Sequence, residues 1–482
     1  MNVMVASSEV HPYSKTGGLA DMTGALAKAL ARADLDVALV TPLYRRVRAQ
    51  FPEMRLMDYD LELPLGTWRV RAEVYRLQPM PRLTVYFLDQ PGFYDRPHLY
   101  QEHGADYADN AARFIFFAKC VTHLARYLPA PPALLHLHDW QTSLVPLMIR
   151  DQQGRDGWHR APATCLTIHN LAFQGIFAPT EYSLTNLPWD TWRPGVEFYG
   201  AMNCLKAGIT HANVVTTVSP RYAREILTES FGFGLDGVLR QRQDVLTGIL
   251  NGVDYDEWRT VGNPHLRHAY TVDQMRGKAL EKAALQRELG LPVNARHPLF
   301  GNISRLVDQK GSDLILGALE ELVARNLQYV QLGTGMTHLE DAFQELARRH
   351  PRNIAVRIGY DDALAHRIEA ACDFYLMPSR YEPCGLNQLY SMRYGTIPIV
   401  RTTGGLDDSV TDASEDPDSA NGIEFRDPTV PALVQAIERA LSVYARPAVL
   451  RRLQRQAMRA DFSWAKTARE YIRLYRRFVG VA

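Results

Sequence analysis

Cysteine is sparse in this 482-residue chain: five residues, at 120, 165, 204, 372 and 384, with no CxxC pair and no Cys/His cluster at metal-ligand spacing. An odd count scattered over a long chain reads as reduced thiols, and excludes a disulfide scaffold. No run of about 18 apolar residues occurs, so no membrane-spanning helix is expected. Excess charge of either sign is also missing, with 54 Lys+Arg against 53 Asp+Glu. A net charge of +1 argues against a protein that coats nucleic acid or an anionic membrane. Lysine is scarce as well. Eight lysines leave 54 − 8 = 46 arginines, a skew to which no function is attached. The opening MNVMVASSEVHPYSKTGGLAD lacks a cationic head followed by an apolar core and a small-residue cleavage site, so a cytoplasmic enzyme is expected. No internal repeat or low-complexity tract appears.

What is present is ordinary globular composition, 46% hydrophobic and 22% charged, at a length that suits two large α/β domains. The dominant rhythm is a short β-branched run, a Gly or polar turn, then an amphipathic stretch. NVMVA (2–6) reads as a buried strand and 19–32 as the helix after it. Further strands are expected at 36–42, 83–89, 134–140, 163–170, 214–220 and 245–254. The scheme then repeats at 298–304, 327–335, 354–360, 374–379 and 397–405, with helices at 312–325, 338–350 and 363–371. Such alternation implies parallel sheets covered on both faces, and two runs of similar length imply two doubly wound domains. The boundary is expected near 251–264, where NGVDYDEW enters a polar, Pro-containing stretch.

Ligands of such sheets bind beyond the carboxyl ends of the strands. The polar groups expected there are Lys15–Asp21, His136–Trp140, His169–Asn170, Asn251–Asp254, Arg305–Lys310, Tyr360 and Glu382–Leu386. In KTGGLAD (15–21), paired glycines let backbone N–H groups approach an anion at a helix N-terminus, and Lys15 adds a point charge. The string matches neither the dinucleotide nor the P-loop pattern. Arg305 and Lys310, in SRLVDQKG, carry two cations that can neutralise a diphosphate without a metal. In PSRYEPCGLNQLYSMRYG, Glu382 can accept hydrogen bonds from sugar hydroxyls, and the turn after it offers backbone donors to a phosphate. Cys384 has no neighbouring histidine to make it a nucleophile, and reads as a small residue packed under the donor. HLHDW and TIHN place His136, His138, Asp139 and His169 at adjacent strand ends. The first two share a face, yet no further ligands assemble around them, so no metal is expected.

With these strings laid out, the sequence resembles the bacterial glycogen synthases and their close kin, the starch synthases. The resemblance runs nearly end to end through KTGGLAD, FYDRP (93–97), HDW (138–140), IHNLAFQG (168–175), LKAGITHAN (205–213), VSPRYAREI (218–226), GILNGVD (248–254), SRLVDQKG, PSRYEPCGLNQLYSMRYGT (378–396), TGGLDDSV (403–410) and DFSW (461–464). It implies a GT-B architecture, two Rossmann-like doubly wound domains facing a deep interdomain cleft. Residues 1–252 would hold the acceptor and 253–463 the nucleotide sugar, with a terminal helix, about 464–482, returning to the first domain. The implied reaction is retaining transfer of glucose from ADP-glucose to the non-reducing end of an α-1,4-glucan, glycogen or a maltooligosaccharide, with release of ADP. Neither metal nor cofactor is implied, and nucleic acid and membrane are not partners.

The resemblance also implies roles. His169, Arg305, Lys310 and Glu382 form the catalytic set: the cations at the diphosphate, Glu382 on the glucose hydroxyls and His169 beside the anomeric centre. Lys15, Gly18, Tyr94, Asn251, Tyr360, Cys384, Gly385 and Leu386 are assigned to the nucleotide sugar, with Tyr360 stacked on adenine. Asp21 and Asp139 lie toward the acceptor and sugar. Retention by double displacement needs two carboxylates about 5–5.5 Å apart, and no convincing pair is found. Eight positions after Glu382 stands Tyr390, where many retaining transferases carry a second glutamate. Same-face attack is therefore preferred over a covalent intermediate on Glu382. Asn387 and Asp407–Asp408 depart from the usual family residues near the nucleotide. The alternative is a GT-B glucosyltransferase using UDP-glucose or a small acceptor.

Overall fold

The computed structural model describes residues 1–59, 61–102 and 104–479. The chain forms two compact units: Met1–Gly252 joined by the terminal segment from Trp464, and Val253–Ser463. The first is built on strands β1 (Asn2–Ala6), β2 (Asp36–Pro42), β3 (Leu83–Asp89), β4 (Leu134–His138), β5 (Ala163–Ile168), β6 (Val214–Thr217) and β7 (Leu246–Gly248). They lie parallel in the order 7-6-5-4-1-2-3. Burial on both faces explains the near-continuous apolar runs; every residue of β4 is buried, its two histidines included. Helix α1 (Gly18–Arg32) follows β1 and buries Met22, Leu26, Ala29 and Leu30 at helical spacing, with Asp21 in its first turn and Arg32 in its last.

The second unit repeats the plan with β8 (Leu299–Ile303), β9 (Gln328–Gly333), β10 (Ile354–Ile358), β11 (Phe374–Met377), β12 (Ile397–Arg401) and β13 (Ile423–Phe425). All are parallel, in the order 10-9-8-11-12-13. Helix α2 (Asp362–Ala371) follows β10 and α3 (Asn387–Arg393) follows β11. In both sheets the strand order reverses beside the first strand, between β1 and β4 and between β8 and β11. Connections leaving those neighbours go to opposite sides, which leaves the carboxyl edge between them uncovered.

Helix α4 (Trp464–Val479) packs on the first unit through Trp464, Ala468, Tyr471, Ile472 and Tyr475, which join the core with Val3, Val5 and Cys165. Positions 480–482 of the expected terminal helix lie outside the described residues. Thr467 Oγ1 donates to the Leu250 carbonyl at 3.1 Å, and a Cβ on Gly252 would stand 2.8 Å from the Trp464 backbone. Deep in the sheet, the Tyr475 hydroxyl lies 2.6 Å from His136 Nδ1.

The longest strand, Trp68–Met80, was absent from the expectations. It pairs antiparallel with β3 and is buried mainly at Ala72 and Val74, so WRVRAEVYRLQPM carries many charges and no dense apolar run. A strand solvated on one face is much harder to read than one covered on both.

Tyr475→Phe removes the partner of a ring nitrogen on a fully buried histidine. Urea unfolding is expected to show a loss of about 1–3 kcal/mol, with the fold retained.

Candidate active site

The polar loops of the first unit converge where β1 and β4 end. Beyond β1, Glu9 is 4% exposed, and its carboxylate collects four donors: the Thr16 N–H (2.5 Å), the Thr16 hydroxyl (2.7 Å), the Gly17 N–H (3.3 Å) and the Tyr100 hydroxyl (2.7 Å). One buried carboxylate thus clamps an exposed glycine loop at the start of α1. Lys15 at the head of that loop is ion-paired with Asp21 at 2.7 Å, and Gly18 is the first residue of α1. Neither Glu9 nor Tyr100 was singled out from sequence. The available signal was an acidic residue a few positions beyond the first strand of a doubly wound sheet.

Beyond β4 the backbone turns into a left-handed conformation at Asp139, φ +55°, which an aspartate tolerates better than most residues. That turn aims Asp139 Oδ1 at the His169 backbone N–H, 2.7 Å away. His169 Nε2 lies 3.1 Å from His138 Nδ1. Burial takes the His169 imidazole down to about 3, so it is neutral at pH 7 and cannot serve as a general acid there. Burial also pushes the Asp139 carboxyl up to about 7; the N–H groups of His169 and Asn170 pull it down, and the Glu9 charge opposes them. Asn251, 4% exposed, has a buried Oδ1 without a hydrogen-bond partner among the described residues.

In the second unit, the loop after β8 carries Arg305 and Lys310, and the loop after β11 carries Glu382. Gly311, at φ +68°, joins them: a Cβ there would stand 2.3 Å from the Pro378 carbonyl. The close approach brings Lys310 Nζ to 2.5 Å from Glu382 Oε2, which also accepts from the Ser379 hydroxyl at 3.0 Å. Arg380 braces the loops with two bonds to Asp313, 2.7 and 2.8 Å long. Arg305 is exposed, and among the described residues its guanidinium has no hydrogen-bond or ion-pair partner.

The turn that follows is packed from beneath. Gly385 takes φ +70°, and a Cβ on Gly405 would stand 2.1 Å from the Cys384 carbonyl. Cys384 is buried and Leu386 half-buried at the start of α3. Asn387, one of the departures from the family pattern, donates to the Ile303 carbonyl at 2.7 Å and lies 2.5 Å from the Tyr375 hydroxyl, tying α3 to β8 and β11. Asp407 and Asp408 lie on the short helix Gly404–Ser409. Tyr360, 78% exposed, follows β10.

Tyr94 does not line a pocket. It is 0% exposed, sits in the core with Phe87 and Tyr44, and donates its hydroxyl to the Arg113 carbonyl at 2.9 Å. FYDRP carries part of the resemblance, but Pro91–Tyr94 forms a short helix in which this ring is buried. Tyr390 is also structural, stacked on Trp258 at 3.7 Å and 5°.

Residues 2–241 match the family model described as starch synthase catalytic domain, and residues 290–457 match glycosyl transferases group 1. The chain is 45% identical over 481 residues to a glycogen synthase of Anaeromyxobacter sp. (strain Fw109-5), covering 99% of each. It is 44% identical over 492 residues to a glycogen synthase of Thioalkalivibrio sulfidiphilus, covering 99% of this chain and 100% of that one. Among solved structures, it matches the catalytic domain of Starch Synthase IV from Arabidopsis thaliana bound to ADP and acarbose, with a TM-score of 0.90, 33% identity and 99% of each chain covered.

The Asp139 shift sets a stability test. A carboxyl raised from 3.8 to about 7 on folding gives stability that is fully present below about pH 4 and lost as pH rises through 7. Asp139→Asn keeps an acceptor for the His169 N–H and removes that loss. The variant is expected to resist urea better than the parent at pH 8 but not at pH 4.

Proposed function

The chain belongs to the glycogen and starch synthase family of glycosyltransferases, and we propose that this hexosyltransferase moves glucose from ADP-glucose to the non-reducing end of an α-1,4-glucan, with retention and without a metal. The observation that carries the reading is the Lys310–Glu382 pair, 2.5 Å apart, in the loops where the second sheet reverses its strand order. Together with Arg305, it gathers two cations and one carboxylate at the edge where α/β sheets take nucleotides. Two permanent cations supply what a metal would otherwise supply to a diphosphate leaving group.

In this reading the second domain holds the donor. Arg305 and Lys310 take the charge that collects on the β-phosphate as the bond from C1 to its oxygen breaks. The N–H groups of Gly385 and Leu386 add donors to the phosphates, and Tyr360 stacks on adenine. Glu382 accepts hydrogen bonds from the glucose hydroxyls. The first domain holds the acceptor, with Asp21 and Asp139 toward it, while Lys15 and the Gly18 N–H complete the donor contacts. His169, being neutral, hydrogen-bonds to the sugar without adding a positive charge beside an oxocarbenium-like carbon. The acceptor hydroxyl attacks C1 on the face that the phosphate leaves, and its proton passes to the departing phosphate oxygen. Glu382 is held by Lys310 and Ser379 and is a weak nucleophile.

Several observations support the setting. Among the described residues no helix is long and apolar enough to cross a membrane. ADP as the donor's nucleotide rests on the ligand of the Arabidopsis relative.

The test is radiolabelled glucose transfer to glycogen from ADP-glucose and from UDP-glucose, in excess EDTA. Transfer from ADP-glucose is expected to persist in EDTA, and Lys310→Ala is expected to lower kcat by about 10²–10³-fold. Transfer from UDP-glucose alone would overturn the donor assignment. A glucosylated Glu382 peptide found by mass spectrometry would overturn same-face attack.

A further inference from the structure

A cluster outside this chemistry lies wholly within the second domain. His265, Asp362 and His366 place their candidate ligand atoms within 4.8 Å of one another. Asp362 and His366 are four residues apart on α2, hence on one side of the helix. His265 comes from the loop that follows Val253–Trp258. None of the three is among the residues assigned to the transfer reaction, and Asp362 is linked to one of those by a long contact from the Tyr360 hydroxyl.

We propose that these three side chains form a binding site for a divalent transition ion of the zinc class. Two imidazoles and one carboxylate are the donor set that suits such an ion, whereas Mg²⁺ and Ca²⁺ take all-oxygen sites. Three protein ligands leave one coordination position for water.

The surroundings are organised as a second shell. His366, 1% exposed, is stacked on Trp258 at 4.1 Å and 21°, and its Nδ1 lies 2.9 Å from the Tyr394 hydroxyl. Ligation through Nε2 requires the tautomer in which Nδ1 carries the proton and donates it to the Tyr394 hydroxyl, the role a second-shell acceptor plays for a metal-binding histidine. The buried amide of Asn263 links the two elements: its Oδ1 accepts the His265 backbone N–H at 2.8 Å, and its Nδ2 donates to the Tyr394 hydroxyl at 2.9 Å and lies 3.3 Å from His366 Nδ1. One residue therefore sets the His265 loop against the partner of His366. The two histidine rings stand 4.9 Å apart.

Ligand atoms around a tetrahedral zinc ion lie about 3.3 Å apart, given bonds of about 2.0–2.2 Å. The cluster must therefore tighten on binding. His366 is buried and stacked, but Asp362 is exposed and His265 half-buried, so rotamer changes at those two side chains can close the site. Among the described residues, the contact the carboxylate gives up is a long one, 3.4 Å, from the Tyr360 hydroxyl.

The experiment is a Co²⁺ titration of the EDTA-stripped full chain, read by visible d–d absorption, followed by displacement with Zn²⁺. One Co²⁺ per chain is expected, with a tetrahedral-type band that Zn²⁺ abolishes. His265→Ala and Asp362→Asn are each expected to weaken binding by more than the ~10–100-fold typical of a second-shell change. Asp362 is exposed, so its metal-free variant should melt with the parent. His338→Ala, at an exposed histidine on another helix, should bind as the parent does. Absence of the band, or a band that survives both substitutions, overturns the proposal.

Discussion

Each sheet reverses its strand order beside its first strand, and that reversal governs where this protein can hold a ligand. Helices leaving the two neighbouring strands go to opposite sides, so the carboxyl edge between them stays open. Into that edge the first domain puts the glycine loop after β1 and the HDW turn after β4. The second domain puts Arg305 and Lys310 after β8 and Glu382 after β11. No individual residue creates these openings; each residue uses one that the topology leaves.

The loops at those edges are held by groups that would be costly to leave unsatisfied. Glu9 is nearly buried and accepts four hydrogen bonds, so the exposed KTGG segment is fixed from below while its outer face stays available. Gly311 and Gly405 do equivalent work in the second domain, because carbonyls occupy the space that a Cβ would need. Asp139 carries the opposite balance. Burial raises its carboxyl to about 7, so keeping it ionised at neutral pH costs stability.

Much of this was legible in the sequence because the signals were local. Parallel strands buried on both faces are dense apolar runs, and β1, β2 and β3 occupy the expected residues. The motif strings marked the loops, since glycine pairs and clustered charges at strand ends have few other uses. Trp68–Met80 escaped notice because a half-solvated strand dilutes its apolar signal with arginines and glutamates.

The sequence by itself determined the two-domain alternation of strands and helices, and the strand-end identity of Lys15, His169, Arg305, Lys310 and Glu382. Only the tertiary structure decided which of these groups touch. Lys310 and Glu382 are 72 positions apart, and Glu9 and Tyr100 are 91 apart; each pair meets only after strands distant in sequence lie side by side. Tyr94 shows the same limit in reverse, since the direction in which a ring points depends on the helix turn beneath it and on the core it fills. In the cluster of His265, Asp362 and His366 only the last two share a helical spacing along the chain; His265, 97 positions before Asp362, joins them through the fold alone.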